Sequence, residues 1–122
     1  MPSRPEELRD RTKQFAIRVV RLFRALPRTD EARVLGKQVL RCGTAVAANY
    51  RAVCRARSKA EFISKMGVVV EEADETVFWL ELLVVTGIVK KQVMESLLAE
   101  ANELVAIFAA SQRTARAGTM AR

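Results

Sequence analysis

Residues 58–87 read SKAEFISKMGVVVEEADETVFWLELLVVTG, and this segment has the apolar periodicity of one long α-helix. At about 100° per residue its apolar side chains form a continuous line, made by Phe62, Met66, Val69, Ala73, Val77, Leu80 and Val84. Ser58 followed by Glu61 is the pattern of a capping box at a helix start. Gly87 ends the pattern, because glycine favours helix termination. The segment therefore predicts a helix over residues 59–86 with one buried face.

Three further segments share this periodicity, and breaks at Pro27, Arg57-Ser58 and Gly87 separate them. They predict helices over residues 5–26, 30–56 and 89–112. The apolar lines are Leu8, Phe15, Val19, Leu22 and Leu26, widened by Val20 and Phe23; Leu35, Val39, Cys42, Val46 and Val53; and Val93, Leu97, Ala101, Leu104 and Phe108. Four amphipathic helices with short connections bury their apolar faces best as an antiparallel up-down-up-down four-helix bundle. We therefore expect an all-α chain with one domain over residues 1–122, whose basic end, residues 113–122, frays.

The composition excludes several classes of protein. The chain has 122 residues, two cysteines and no histidine, so it lacks the histidine of Ser-His and Cys-His nucleophilic sites and of many zinc sites. Two cysteines are too few for a disulfide scaffold. Apolar runs such as residues 82–85 are far shorter than the roughly 20 residues that cross a bilayer. We expect a cytoplasmic protein that has no membrane partner.

The acidic residues 71–75 and the two cysteines do not predict a metal or catalytic site. Di-metal sites in helical bundles use inward-facing carboxylates together with Glu-x-x-His pairs, whereas Glu71 and Glu75 lie off the apolar line. Cys42 lies on the apolar line of its helix, about 18 Å from Cys54 along a helix of 1.5 Å rise per residue. We therefore expect no catalytic residue, no metal, no cofactor and no small-molecule substrate.

Positive charge is concentrated in the first half of the chain. Residues 1–57 contain 14 basic and 5 acidic side chains, whereas residues 58–87 contain 2 basic and 6 acidic ones. The predicted second helix has a basic stripe, and the first helix has another. The residues predicted to bind nucleic acid are Arg33, Lys37, Arg41, Arg51 and Arg55, with Arg18, Arg21 and Arg24 in support. Such stripes can follow a phosphate backbone, although paired cations on a solvated helix face are the alternative.

The apolar surface exceeds what one bundle core needs, which predicts self-association. On the third helix Phe78, Trp79 and Leu82 lie away from the main apolar line, beside Glu72 and Glu75. On the second helix Gly43 and Ala47 belong to a line of small residues that would let another helix approach closely. We expect these seven residues to form an oligomer interface in which the carboxylates meet basic helices of a neighbour. In the alternative, the fourth helix tilts to cover part of this surface.

Residues 38–83 resemble a known bacterial family. The segments that carry the resemblance are Arg41-x-Gly43-Thr44, Ala48-Asn49-Tyr50-Arg51, Ala56-Arg57-Ser58-Lys59-Ala60-Glu61-Phe62, Glu72-Ala73-Asp74-Glu75-Thr76 and Trp79-Leu80-Glu81-Leu82-Leu83. They resemble the four-helix bundle proteins named for open reading frames in 23S rRNA intervening sequences. A more distant similarity is to the accessory proteins of diversity-generating retroelements.

The resemblance implies a short antiparallel bundle that assembles as a ring, a homopentamer, without an established enzymatic activity. The more distant similarity implies association with a nucleic-acid-processing protein and with nucleic acid. Together with the charge, it leads to the hypothesis of a non-enzymatic homo-oligomer whose basic surface binds RNA, DNA or a ribonucleoprotein partner without sequence specificity. The alternative is an assembly module that binds only protein and uses its cations at subunit contacts.

Overall fold

Four helices account for most of the chain in the computed structural model, which describes residues 3–121, with side chains through residue 118. They are α1 (Arg4–Ala25), α2 (Asp30–Cys54), α3 (Lys59–Val85) and α4 (Lys91–Ala121). Consecutive helices pack side by side, α1 and α4 touch less extensively, and within this range the backbones of the diagonal pairs α1/α3 and α2/α4 do not approach each other closely. The predicted all-α, up-down-up-down four-helix bundle is confirmed.

Side-chain caps set the starts of the first three helices. The hydroxyls of Ser3, Thr29 and Ser58 accept hydrogen bonds from the backbone N–H groups of Glu6, Ala32 and Glu61, at 3.3, 3.2 and 3.0 Å. Each cap satisfies a donor that the helix itself leaves unpaired, which typically contributes about 1 kcal/mol. The Glu61 carboxylate forms an ion pair with Lys65 at 3.1 Å.

Gly87 turns the chain between α3 and α4. Its φ of +79° is a left-handed conformation that favours glycine. The N–H groups of Gly87 and Ile88 donate to the carbonyls of Val84 and Leu83, at 3.0 Å each, which is the Schellman arrangement. Val89 also donates to Leu83, at 3.1 Å, and is buried. Because residues 88 and 89 complete this turn, α4 begins at Lys91 rather than at the predicted residue 89.

The C-terminal boundary predicted for the fourth helix is also corrected. The structure continues α4 to Ala121 instead of ending it at residue 112. Residues 113–117 contain alanine and arginine, which are good helix formers, and no proline. The Gln112 side-chain amide donates to the carbonyl of Ile63 at 3.1 Å and ties this part of α4 to α3. Arg122, Met1 and Pro2 lie outside the described residues.

The core contains most of the predicted apolar lines and differs on α4. Met94 is 1% exposed, whereas the predicted Val93 is 68% exposed. At 3.6 residues per turn, both lie about 50° from the centre of the line formed by the buried residues of α4, which are Leu97, Ala101, Leu104 and Phe108. Helical periodicity therefore cannot predict which of residues 93 and 94 is buried. The packing of α4 against the other helices decides it.

Two glycines let α1 lie close to α2. A Cβ atom on Gly43 would come within 2.8 Å of Val19 Cγ2 and 2.9 Å of Val19 Cγ1. A Cβ atom on Gly36 would come within 2.6 Å of Leu26 Cδ1. The small-residue line of the second helix thus does allow a close approach, but the approaching helix belongs to the same chain. Gly43 is buried there, so its assignment to an oligomer interface is corrected.

Candidate nucleic-acid interface

The predicted basic stripe lies on the outer face of α2. Its members Arg33, Lys37, Arg41, Arg51 and Arg55 are all exposed, because the opposite face of α2 supplies Val39, Cys42, Val46 and Val53 to the core. From the first to the last cation the stripe covers about 33 Å at 1.5 Å per residue. The stripe is therefore long enough to follow several phosphates of a nucleic acid.

Arg41 differs from the other members because two carboxylates of the same chain bind it. Its guanidinium contacts Glu72 Oε2 at 3.4 Å and also Glu75 Oε2. Glu75 in addition accepts a hydrogen bond from Trp79 Nε1 at 3.1 Å. The ion pairs predicted between subunits thus form between α2 and α3 of one chain. For Arg41, the alternative of a cation paired on a helix face is the arrangement observed.

The supporting cations of α1 do not all lie on one surface. Arg18 donates to Ser96 Oγ on α4 at 2.8 Å. Arg11, which is not among the predicted binding residues, bridges the same two helices through Glu100 and Glu103, at 2.8 and 2.9 Å. These long side chains cross the boundary between α1 and α4, which pack less closely than the other neighbouring helices do. Arg21 and Arg24 are exposed, and only Arg24 joins the cations of α2 in a cleft.

That cleft lies at the corner where α1 turns into α2 and has a volume of about 520 Å³. We call it the corner cleft; its cations are Arg24, Arg28, Arg33 and Lys37, and its apolar floor contains Phe23, Leu26 and Pro27. Phe23 had been assigned to the core line, and Arg28 was not among the predicted binding residues. Their proximity in sequence to the Pro27 turn could have indicated that they meet the start of α2.

A second groove between α1 and α2 lies nearer the middle of the bundle. Its cations Arg9, Lys13 and Arg51 are accompanied by one carboxylate, that of Asp10. Ala47, which was predicted to be an interface residue, lines this groove. The α1–α2 face therefore has two concave basic regions, and neither is lined by more than one carboxylate.

Most of the predicted cations are unpaired. Among residues 3–118, no carboxylate lies within the 4.0 Å of an ion pair to Arg33, Lys37, Arg51 or Arg55. The same holds for Arg24 and Arg28. Charges without partners attract counterions, which a polyanion can displace with a favourable entropy. The arrangement of this face therefore favours a polyanionic ligand.

The outer face of α3 carries the aromatic residues that were predicted to form subunit contacts. Phe78 is 54% exposed and meets Trp79 edge to face, with ring centroids 4.9 Å apart. Leu82, one turn further along, is half-buried. The exposed part of Phe78 forms an apolar surface next to the Arg41–Glu72–Glu75 cluster.

Cys42 and Tyr50 are buried and belong to the core of the bundle. Burial raises the pKa of the Cys42 thiol and also that of the Tyr50 hydroxyl. Tyr50, the only tyrosine, is 4% exposed and packs on Phe108 with ring centroids 5.1 Å apart. Both groups therefore keep their protons at neutral pH, and neither is an activated nucleophile. Within residues 3–118, no three Cys, Asp or Glu side chains are grouped so that they could hold a metal ion.

Comparison with known proteins relates the chain to one family. The model of a family described as 23S rRNA-intervening sequence protein matches residues 6–110. A solved structure of a protein with unknown function from the S23 ribosomal protein family of Bacteroides thetaiotaomicron is 32% identical, with a TM-score of 0.83. That match covers 91% of this chain and 99% of the other. No curated protein matches the chain. Neither description names an enzymatic activity, and no helix within residues 3–121 has the length and hydropathy to cross a bilayer.

Proposed function

The chain belongs to the 23S rRNA-intervening sequence protein family, and from its surface we propose that it is a homo-oligomer that catalyses no reaction and binds RNA. The RNA can be free or part of a ribonucleoprotein. The observation that carries this proposal is the set of unpaired, exposed cations on the α1–α2 face, together with the net charge of +7. The net negative charge of residues 58–87 is smaller than the net positive charge of residues 1–57 and cannot neutralise it, so a basic surface remains.

The binding would depend on phosphates rather than on base identity. The exposed residues of the stripe on α2 are arginine and lysine, which contact phosphate oxygens and carry no sequence information in doing so. Subunits of a ring, five in the assembly that the family resemblance implies, would present the same face repeatedly. Weak contacts on separate subunits then act together through effective concentration.

For the wild-type protein, we expect affinity for RNA to fall at least tenfold when monovalent salt is raised from about 50 to about 200 mM, because each phosphate contact releases a counterion. Fluorescence anisotropy of a labelled RNA at several salt concentrations measures this. Two RNAs of unrelated sequence should bind with similar affinity. If the protein binds neither RNA at low salt, the cations serve protein contacts instead, and the RNA proposal is wrong.

Assembly is expected to use the exposed aromatic face of α3. Light scattering at micromolar concentration should give a mass above that of a dimer, and the double variant Phe78→Ala, Trp79→Ala should lower it, because large aromatic residues dominate protein interfaces. Val34→Ala is a suitable control, since Val34 is also an exposed apolar residue, 61% accessible, but lies on α2. A monomeric wild-type protein would contradict the proposal. An unchanged mass of the aromatic variant would exclude this face as the interface.

A further inference from the structure

The corner cleft is built by the last turn of α1 and the first two turns of α2. Pro27 follows the C-cap residue Leu26, and α2 begins at Asp30 after its cap Thr29. This short connection places Arg24 and Arg28 opposite Arg33 and Lys37. The cleft therefore brings together cations of α1, of the connection and of α2. The basic stripe of either helix alone does not predict this grouping.

Gly36 shapes the apolar floor of the corner cleft. A Cβ atom at this position would lie 2.6 Å from Leu26 Cδ1, and 3.1 and 3.3 Å from Phe23 Cδ1 and Cε1. Both side chains can lie against α2 because glycine has no side chain. Phe23 is nevertheless only half-buried, so part of its ring remains available to a ligand.

Helix electrostatics explains only some of the cations in the corner cleft. Arg24 lies in the last turn of α1, where the negative end of the helix dipole stabilises it. Arg33 instead lies at the positive end of α2 and Lys37 one turn further along, and at neither position does the dipole stabilise a cation. The carboxylates of the first turn, Asp30 and Glu31, form no ion pair with either of them. These two cations are therefore free to bind an external anion.

We propose that the corner cleft binds an unpaired nucleotide of single-stranded RNA, with its phosphates on the four cations and its base on the Phe23 floor. This inference rests on the proposed RNA binding and names the site and the form of the RNA. Single-strand sites typically combine a basic groove with an aromatic surface on which a base stacks. The cleft volume of about 520 Å³ falls within the ordinary range for a ligand the size of a nucleotide.

The floor distinguishes single-stranded from duplex RNA. The bases of a duplex are stacked within the helix, so a protein meets mainly phosphates and ribose hydroxyls. A duplex would use the cations of the corner cleft and leave its apolar floor unoccupied. Because every base has an apolar face, stacking on Phe23 would not require a particular sequence.

The charge test compares two double variants of α2. The cleft variant is Arg33→Gln, Lys37→Gln and the control is Arg51→Gln, Arg55→Gln; all four residues are exposed and unpaired among residues 3–118. The probe is a labelled single-stranded RNA of about 12 nucleotides, alone or annealed to its complement. Both variants lose two charges, so both should weaken general binding. The cleft variant should lose about tenfold more single-strand affinity than the control does.

A variant of Phe23 tests base stacking on the floor of the corner cleft without changing the charge of the protein. Phe23→Leu retains an apolar side chain over Gly36 but removes the aromatic ring. Its affinity for single-stranded RNA should fall about fivefold or more, by the usual cost of losing one stacked base, while duplex affinity stays unchanged. Circular dichroism checks that the variant folds as the wild type does.

The outcomes separate this inference from the proposed function. If the wild type binds single-stranded RNA but the cleft and control variants lose affinity equally, the RNA proposal stands and the corner cleft is not the site. An unchanged single-strand affinity of Phe23→Leu would exclude base stacking there. If polyglutamate displaces the RNA as well as unlabelled RNA does, the site belongs to acidic protein segments and the inference is wrong. If the wild type binds no RNA at low salt, the proposed function fails first.

Discussion

Met94→Ala should lower the free energy of unfolding by about 2–5 kcal/mol, the usual cost of replacing a fully buried methionine by alanine. The Met94 side chain is 1% exposed and belongs to the hydrophobic core. Removing it takes apolar contacts from neighbours that cannot fully collapse into the space. Denaturant unfolding at a fixed protein concentration measures the change.

The neighbouring residue provides the matched control. Val93 is 68% exposed, so Val93→Ala should change stability by less than about 0.5 kcal/mol. Both variants place alanine in the first turn of α4, and they differ in the face of the helix that they alter. If the two effects were reversed, the rotation of α4 about its axis would be that of the apolar line predicted from sequence, with Val93 in the core.

Gly43→Ala should be less stable than Gly67→Ala by about 1–3 kcal/mol, the ordinary cost of overpacking a filled site. Alanine is a better helix former than glycine by about 1 kcal/mol. Both variants gain this stability, so it cancels from the difference between them. At Gly43 the new Cβ would lie 2.8 and 2.9 Å from the two methyl carbons of Val19. Valine has little rotameric freedom, so α1 itself must move away.

Gly67 is a suitable control because it also lies within a long helix. Within residues 3–118 its new Cβ would meet only Gln112 Nε2, at 3.0 Å. This amide is the end of a flexible side chain, and it can shift by a few tenths of an ångström without losing its hydrogen bond to the carbonyl of Ile63, which is 3.1 Å long. Thermal or denaturant unfolding of the two variants under identical conditions gives the difference. Equal stabilities would mean that α1 does not pack on Gly43 as closely as the structure describes.

The candidate site was only partly predictable from sequence. The exposed stripe of Arg33, Lys37, Arg51 and Arg55 follows from the same periodicity that places the core residues of α2, since a cation opposite a buried face must point outward. The partners of Arg41 did not follow, because Glu72 and Glu75 lie on another helix. The corner cleft did not follow from the sequence patterns, because Phe23 is predicted only as part of the apolar line of α1 and Arg28 lies between the two predicted helices, whereas the cleft needs the end of α1 and the start of α2 together.

The class of fold, the starts of α2 and α3 and the end of α3 follow from the sequence alone. Local chemistry is sufficient for this: Thr29 and Ser58 cap helices whether or not a neighbour is present, and Gly87 can adopt the positive φ that terminates α3. The four-helix bundle then follows, because four amphipathic segments with short connections have few other ways to bury their apolar faces. The segments around Arg41-x-Gly43-Thr44 and Trp79 also predict the family to which the chain belongs.

Packing between the helices selects which of several surfaces that are equivalent by periodicity become buried. Val93 and Met94 are equivalent by periodicity, and the position of α3 places Met94 inside. Gly43 could have received a helix from any subunit, and the short α1–α2 connection supplies α1 of the same chain. Such choices depend on the relative rotation and distance of helices, which are set by side-chain packing between residues far apart in sequence. The periodic pattern of one helix does not predict which other helix packs against it, or at what rotation and distance.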